Sequence, residues 1–193
     1  KLGLFAGQLT ESAIESVEIE YVGEVGELNF APLTSATVAG LLSPLLSQVN
    51  MVSAPALAKE RGITVSEVRR ASSGAFDSYI RLSVKTERQQ RSVAGTVFSD
   101  GKPRVIQVKG INMEAELAPR VLYVTNLDQP GFIGALGSVL GEHGINIASF
   151  NLGREKPGGD AISLVSIDNE ASDAVLEEIM ALEQVMQVKQ LQF

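Results

Sequence analysis

The chain has 193 residues, 45% of them hydrophobic, which suffices for one or two domains with real cores. A net charge of −7 argues against a general nucleic-acid binder. The absence of cysteine excludes a disulfide scaffold, thiolate catalysis and Cys-ligated metal clusters. The most apolar stretch, Ala36 to Leu46, falls well short of the ~20 residues a membrane span needs, so no membrane partner is expected. Leu2 to Leu9 is too short for a signal peptide and carries Gly and Gln, and the cytoplasm is the expected compartment. The chain begins at Lys1 without Met, which suggests a processed or excised piece. Charge is uneven along it. Residues 61–110 hold ten basic and four acidic residues, a net +6, which leaves −13 for the remainder.

In chain order, Lys1 to Leu9 reads as the last turns of a helix with no start signal of its own. Val17, Ile19 and Tyr21 alternate with Glu18 and Glu20, the pattern of a half-buried strand. Residues 23–32 read as loop. Thr34 or Ser35 can N-cap a helix whose Val38, Leu41, Leu42, Leu45 and Leu46 form a stripe, and Pro44 should kink it or end its first part near Ser43. Ser53-Ala54-Pro55 starts a second short helix, stopped by Gly62. Strands follow at residues 63–70, around Ile80, Leu82 and Val84, at 93–98, at 105–109 and around Met113, Ala115 and Leu117. Asp100-Gly101 is a strong hairpin signal. This predicts an α+β domain, an antiparallel meander with two helices on one face, over residues 10–118. Ala118-Pro119-Arg120 is too short for a free linker, so the two domains should touch.

The stretch 121–147, VLYVTNLDQPGFIGALGSVLGEHGINI, organises the rest. An alternating strand runs into Asp128-Gln129-Pro130-Gly131, where Pro130 suits the first helical position. Phe132, Ile133, Leu136, Val139 and Leu140 make one face of an amphipathic helix, and Gly144 suits a left-handed C-cap. Asp128 and Asn146 thus fall at opposite ends of one helix, at strand–helix junctions where side chains can point to a ligand. Their bland reading is a turn or cap residue and an Asx-type turn. Further strands at 147–153 and 161–167, a helix capped by Ser172, and a last strand at 186–193 complete βαββαβ, the ferredoxin-like order. Alternation slips between Val188 and Leu191, where a bulge is expected.

Strand, D-x-P-G, a glycine-punctuated helix and G-I-N-I together resemble an ACT domain, a small ligand-binding regulatory module, over residues 120–193. The two-domain arrangement is similar to the C-terminal region of the D-3-phosphoglycerate dehydrogenase family. In that family an allosteric substrate-binding domain, here residues 10–118, precedes the ACT domain. Residues 1–9 resemble the end of the linker from the catalytic domains. The resemblance implies a regulatory, oligomerising part of an NAD-dependent oxidoreductase of serine biosynthesis. It implies NAD in the parent enzyme, no cofactor, metal or catalytic residue in this chain, and L-serine or a related amino acid as effector. By the same resemblance Asn126, Asp128, Asn146 and the backbone of Ile147 form the effector site at a homo-oligomer interface. Asp128 suits an ammonium, and Asn146 both donates and accepts. Asn126 stands where the family often has His or Tyr. Two alternatives share these domain types: the β chain of an iron–sulfur L-serine dehydratase, whose Ser-Ser-Ser-His-Thr-like stretch has no match here, and a free-standing ACT module.

The remaining candidates have plainer readings. Gly137 and Gly141 lie opposite the apolar stripe, with Ser138 beside Gly134, and read as an interface face. No G-x-G-x-x-G follows a strand, so no dinucleotide site is expected. His143, the only histidine, suits the helix C-terminus electrostatically. The carboxylate pairs Glu18/Glu20 and Glu114/Glu116 are expected to face solvent. The basic segment reads as a solvated sheet face or as an anion site for a phosphorylated metabolite, with Arg104 and Lys109 the best-placed residues.

Overall fold

The computed structural model describes residues 1–72 and 74–193. The chain divides into two compact units, Lys1–Lys109 and Gly110–Phe193. The first holds helix α1 (Leu2–Gln8), strand β1 (Ile14–Gly23), helices α2 (Ala31–Leu42) and α3 (Ala54–Glu60), and strands β2 (Thr64–Arg70), β3 (Ser78–Thr86), β4 (Gln90–Val97) and β5 (Pro103–Val108). Its strands are hydrogen-bonded in the order β2-β1-β3-β4-β5. The helices cover one face of this sheet, where Val17, Ile19 and Tyr21 are fully buried with Leu41 and Leu42. Tyr21 stacks on Phe30 at 4.4 Å between ring centroids, and its hydroxyl meets that of Thr34 at 2.7 Å.

Two local expectations are corrected here. The sheet is not wholly antiparallel, because β1 pairs β2 in parallel, Ser16 opposite Thr64 through Val22 opposite Arg70. The α2–α3 crossover between them supplies the long connection that parallel strands require. Helix α2 begins at Ala31, so Thr34 and Ser35 lie inside it rather than at its cap. Pro32 sits in the first turn, and the helix ends at Leu42, two residues before Pro44. Helices α1 and α2 approach so closely that a Cβ on Gly3 would lie 2.0 Å from the Thr37 carbonyl oxygen, and one on Gly7 2.3 Å from that of Leu41.

The second unit holds strand β6 (Ile111–Glu116), β7 (Arg120–Leu127), α4 (Phe132–Glu142), β8 (Ile147–Arg154), β9 (Asp160–Ile167), α5 (Asp173–Met180) and β10 (Val185–Gln192). Its four-stranded sheet has the order β10-β7-β9-β8. Both helices pack on one face, where Leu122, Val124 and Val165 meet Phe132, Leu136, Leu140, Val175 and Ile179. Strand β6 lies against β8, with the Asn112 carbonyl oxygen 2.5 Å from where a Cβ on Gly153 would stand. The bulge expected near Val188–Leu191 falls earlier, between Val185 and Gln187.

Candidate effector-binding site

Asp128 leaves the end of β7 with its backbone already tied, since its N–H donates to the Gly159 carbonyl at 2.8 Å. Three residues later Gly131 caps α4 with φ of 94°, a left-handed conformation that explains the glycine of D-x-P-G. Pro130 therefore precedes the cap and is not the first helical residue, which is Phe132. At the other end of α4, Gly144 has φ of 67° and donates to Gly141, while Ile145 donates to Leu140 at 2.8 Å. That pair of bonds is a Schellman closure, and it places Ile145 in the core and Asn146 at the surface.

The carboxylate of Asp128 is held on one oxygen. Oδ2 accepts from Arg154 Nη1 at 2.7 Å and from the Gly158 N–H at 3.2 Å. The Arg154 bond, and after it the Gly158 N–H, hold the Asp128 carboxyl below the usual carboxylate range. Asn146 donates through Nδ2 to Asp168 Oδ2 at 2.7 Å, and its backbone carbonyl accepts from the Asp168 N–H at 3.1 Å. Asn126 is fully buried, donates to the Leu127 carbonyl at 2.9 Å and accepts from Ser163 Oγ at 3.4 Å. Ile147 opens β8 and packs partly buried against the core.

Within one chain these groups do not converge. Strands β7 and β8 both run antiparallel to β9, so the end of β7 and the start of β8 lie at opposite ends of the sheet. Leu127 pairs Asp160 while Ile147 pairs Ile167, seven residues farther along β9. At ~3.3 Å per residue that is about 23 Å, far beyond the reach of a free amino acid. The residue that does reach Asp128 is Arg154, at the far end of β8. Sequence reasoning missed it because the contact depends on the β8–β9 hairpin closing over the Pro157-Gly158-Gly159 turn, 26 residues away.

The other candidates are placed as follows. Arg104 forks onto Asp100 at 2.6 and 3.2 Å and lies 4.3 Å above the Phe98 ring, whereas Lys109 sits at the opposite end of β5 with φ of 51°. The two are not brought together. The expectation that Glu20 faces solvent is corrected. It is 5% exposed and accepts from Arg70 Nε and Arg81 Nη1, each at 2.7 Å. The register explains this, since Arg81 stands directly opposite Glu20 and Arg70 lies one strand over. His143 contacts Glu178 of α5 at 2.7 Å. Among the described residues no group of three or more His, Cys, Asp or Glu is arranged to hold a metal, and no helix is long and apolar enough to cross a membrane.

The βαββαβ order, two helices on one sheet face and the polar junctions at both ends of α4 define the second unit as a ferredoxin-like module of the ACT type. Residues 120–184 match the ACT domain family. Residues 1–109 match the D-3-phosphoglycerate dehydrogenase intervening domain, and the chain belongs to that family. It is 32% identical over 190 residues to a D-3-phosphoglycerate dehydrogenase of Bacillus subtilis, covering 98% of this chain and 36% of that protein. It is 36% identical over 180 residues to one of a Synechocystis species, covering 92% of this chain and 32% of that protein. The match to a Methanocaldococcus jannaschii enzyme of the same name is 31% over 97% of this chain and 36% of that protein. The chain thus spans about a third of these relatives, and matches their C-terminal regulatory region.

Proposed function

We propose that this chain is the amino-acid-sensing and subunit-pairing region of an NAD-dependent D-3-phosphoglycerate dehydrogenase of serine biosynthesis, with L-serine as effector. In this reading the catalytic domains and the NAD site lie in the rest of the parent protein. The observation that carries the proposal is the separation of Asp128 and Asn146. One chain cannot close both around a single amino acid. Strand β8 stands at the edge of its sheet, and an edge strand invites pairing with a second copy. Two β8 strands paired antiparallel about a two-fold axis form one eight-stranded sheet. The Asn146 end of one copy then meets the Arg154 end of the other, and Arg154 touches Asp128. Each two-fold pair has two such sites, each taking Asp128 from one chain and Asn146 from the other.

Each hydrogen bond to a charged group contributes about 1.5–3 kcal/mol, so Asp128→Ala and Asn146→Ala should each weaken L-serine binding at least about tenfold. Asp128→Ala should be the worse, because it strands the ammonium without a counter-charge. The deciding experiment mixes the two variants. A mixed pair restores one intact site, so calorimetry on the re-equilibrated mixture should recover tight binding at a fraction of the sites. If each variant loses binding and the mixture recovers none, the shared site is wrong. If L-serine, glycine and close analogues all fail to bind the unaltered chain at millimolar concentration, the sensor reading fails as well.

A further inference from the structure

We infer that Arg154 sets the affinity of this site by competing with the effector's ammonium group for Asp128; the inference rests on the reading of Asp128 given above. Arg154 Nη1 lies 2.7 Å from Asp128 Oδ2. The side chain of Arg154 is 52% exposed and that of Asp128 20%, so the cation lies on the solvent side of the carboxylate it covers. Among the described residues Asp128 is its one side-chain partner, and the long arginine side chain sits at the last position of an edge strand. Among the described residues of one chain no other side chain holds it, so its displacement breaks this ion pair alone.

The carboxylate does not need the arginine to keep its place. The Gly158 N–H bonds the same oxygen at 3.2 Å, and the Asp128 N–H is fixed on Gly159. An incoming amino acid brings an ammonium with the same charge and the same demand for a carboxylate oxygen. Two cations crowded on one partly buried carboxylate repel each other, so the effector's arrival exchanges one ion pair for another. Two consequences follow. The intrinsic affinity of the site is reduced by whatever the Arg154 pair is worth. The number of ion pairs at Asp128 is unchanged on binding, so affinity should respond little to salt.

The test is calorimetric titration of L-serine into the 193-residue chain and its Arg154→Gln and Arg154→Lys variants, at low and high NaCl. Arg154→Gln should bind about three- to fivefold tighter, the scale of an exposed ion pair. Its affinity should also fall with salt more steeply than that of the unaltered chain, because binding now creates a new pair. Arg154→Lys, which keeps the cation, should stay near the unaltered affinity. In an Asp128→Asn background the Arg154→Gln gain should vanish. Equal or weaker binding by Arg154→Gln, or a gain that persists in Asp128→Asn, overturns the inference while leaving the effector site standing. Full-strength binding by Asp128→Asn alone overturns the reading of Asp128, and the role of Arg154 with it.

Discussion

At the scale of single residues, the carboxylates of Glu20 and Asp128 are both held ionised by arginine. For Glu20, burial pushes the carboxyl up, but the hydrogen bonds from Arg70 and Arg81 outweigh it and leave the group below its ordinary value. Asp128 is depressed mainly by Arg154. The sign of the linkage is the same for both. A depressed folded-state carboxyl contributes stability that is present above the unfolded value, near ~4, and is lost as pH falls through the folded value. We predict that Glu20→Ala lowers unfolding stability by ~2 kcal/mol at pH 7, less than a fully buried pair because Arg70 is 58% exposed and can turn to water. The gap between variant and parent should narrow steadily below about pH 4. Urea unfolding followed by circular dichroism at pH 7 and at acid pH checks both parts; a gap that stays constant with pH would contradict the charge-based account.

At the scale of elements, glycine serves two opposite ends. In α1 it permits contact, because Cβ atoms at Gly3 and Gly7 would collide with backbone oxygens of α2. Gly7→Ala should therefore cost ~1–3 kcal/mol, since backbone cannot give way as a flexible side chain does. Gly153→Ala should cost a similar amount, as it drives against Asn112 and Ile111 of β6. In α4 the reverse holds, because a Cβ at Gly134, Gly137 or Gly141 meets nothing within 4 Å. Gly137→Ala should stabilise the chain by ~0.5–1 kcal/mol through helix propensity alone. Thermal melts of the three variants rank these effects directly, and a destabilised Gly137→Ala would mean that the open face is occupied. Gly137→Leu adds the complementary test. It should leave the fold intact and shift the chain toward monomer if the small-residue face of α4 takes part in pairing.

At the scale of the whole molecule, two predictions stand. The chain should form a homo-oligomer, seen by sedimentation or light scattering at ~0.1 mM, since a specific interface buries more than ~1,000 Å². A strictly monomeric species would remove the shared site from consideration. The chain by itself should also form no NADH from 3-phosphoglycerate, because no Gly-rich dinucleotide turn follows any of its strands. Protein-dependent NADH formation in a pure sample would contradict this.

What the sequence determined by itself is local. The D-x-P-G turn, the stripe of α4 apart from the exposed Ile133, its Gly144 closure and the Ser172 cap of α5 all depend on residues within a few positions of one another. Backbone propensity and capping act at that range, so they are legible along the chain. Even there the boundaries drifted by a residue or more, as Pro130 and Thr34 show, because the first turn of a helix is settled by what it packs on. The tertiary structure alone decided the parallel pairing of β1 with β2, the burial of Glu20 beneath arginines 50 and 61 residues away, and the capture of Asp128 by Arg154. It also decided that Asp128 and Asn146 stand apart. Strand order and register set which side chains become neighbours, and many alternative pairings share the same alternation of apolar and polar residues.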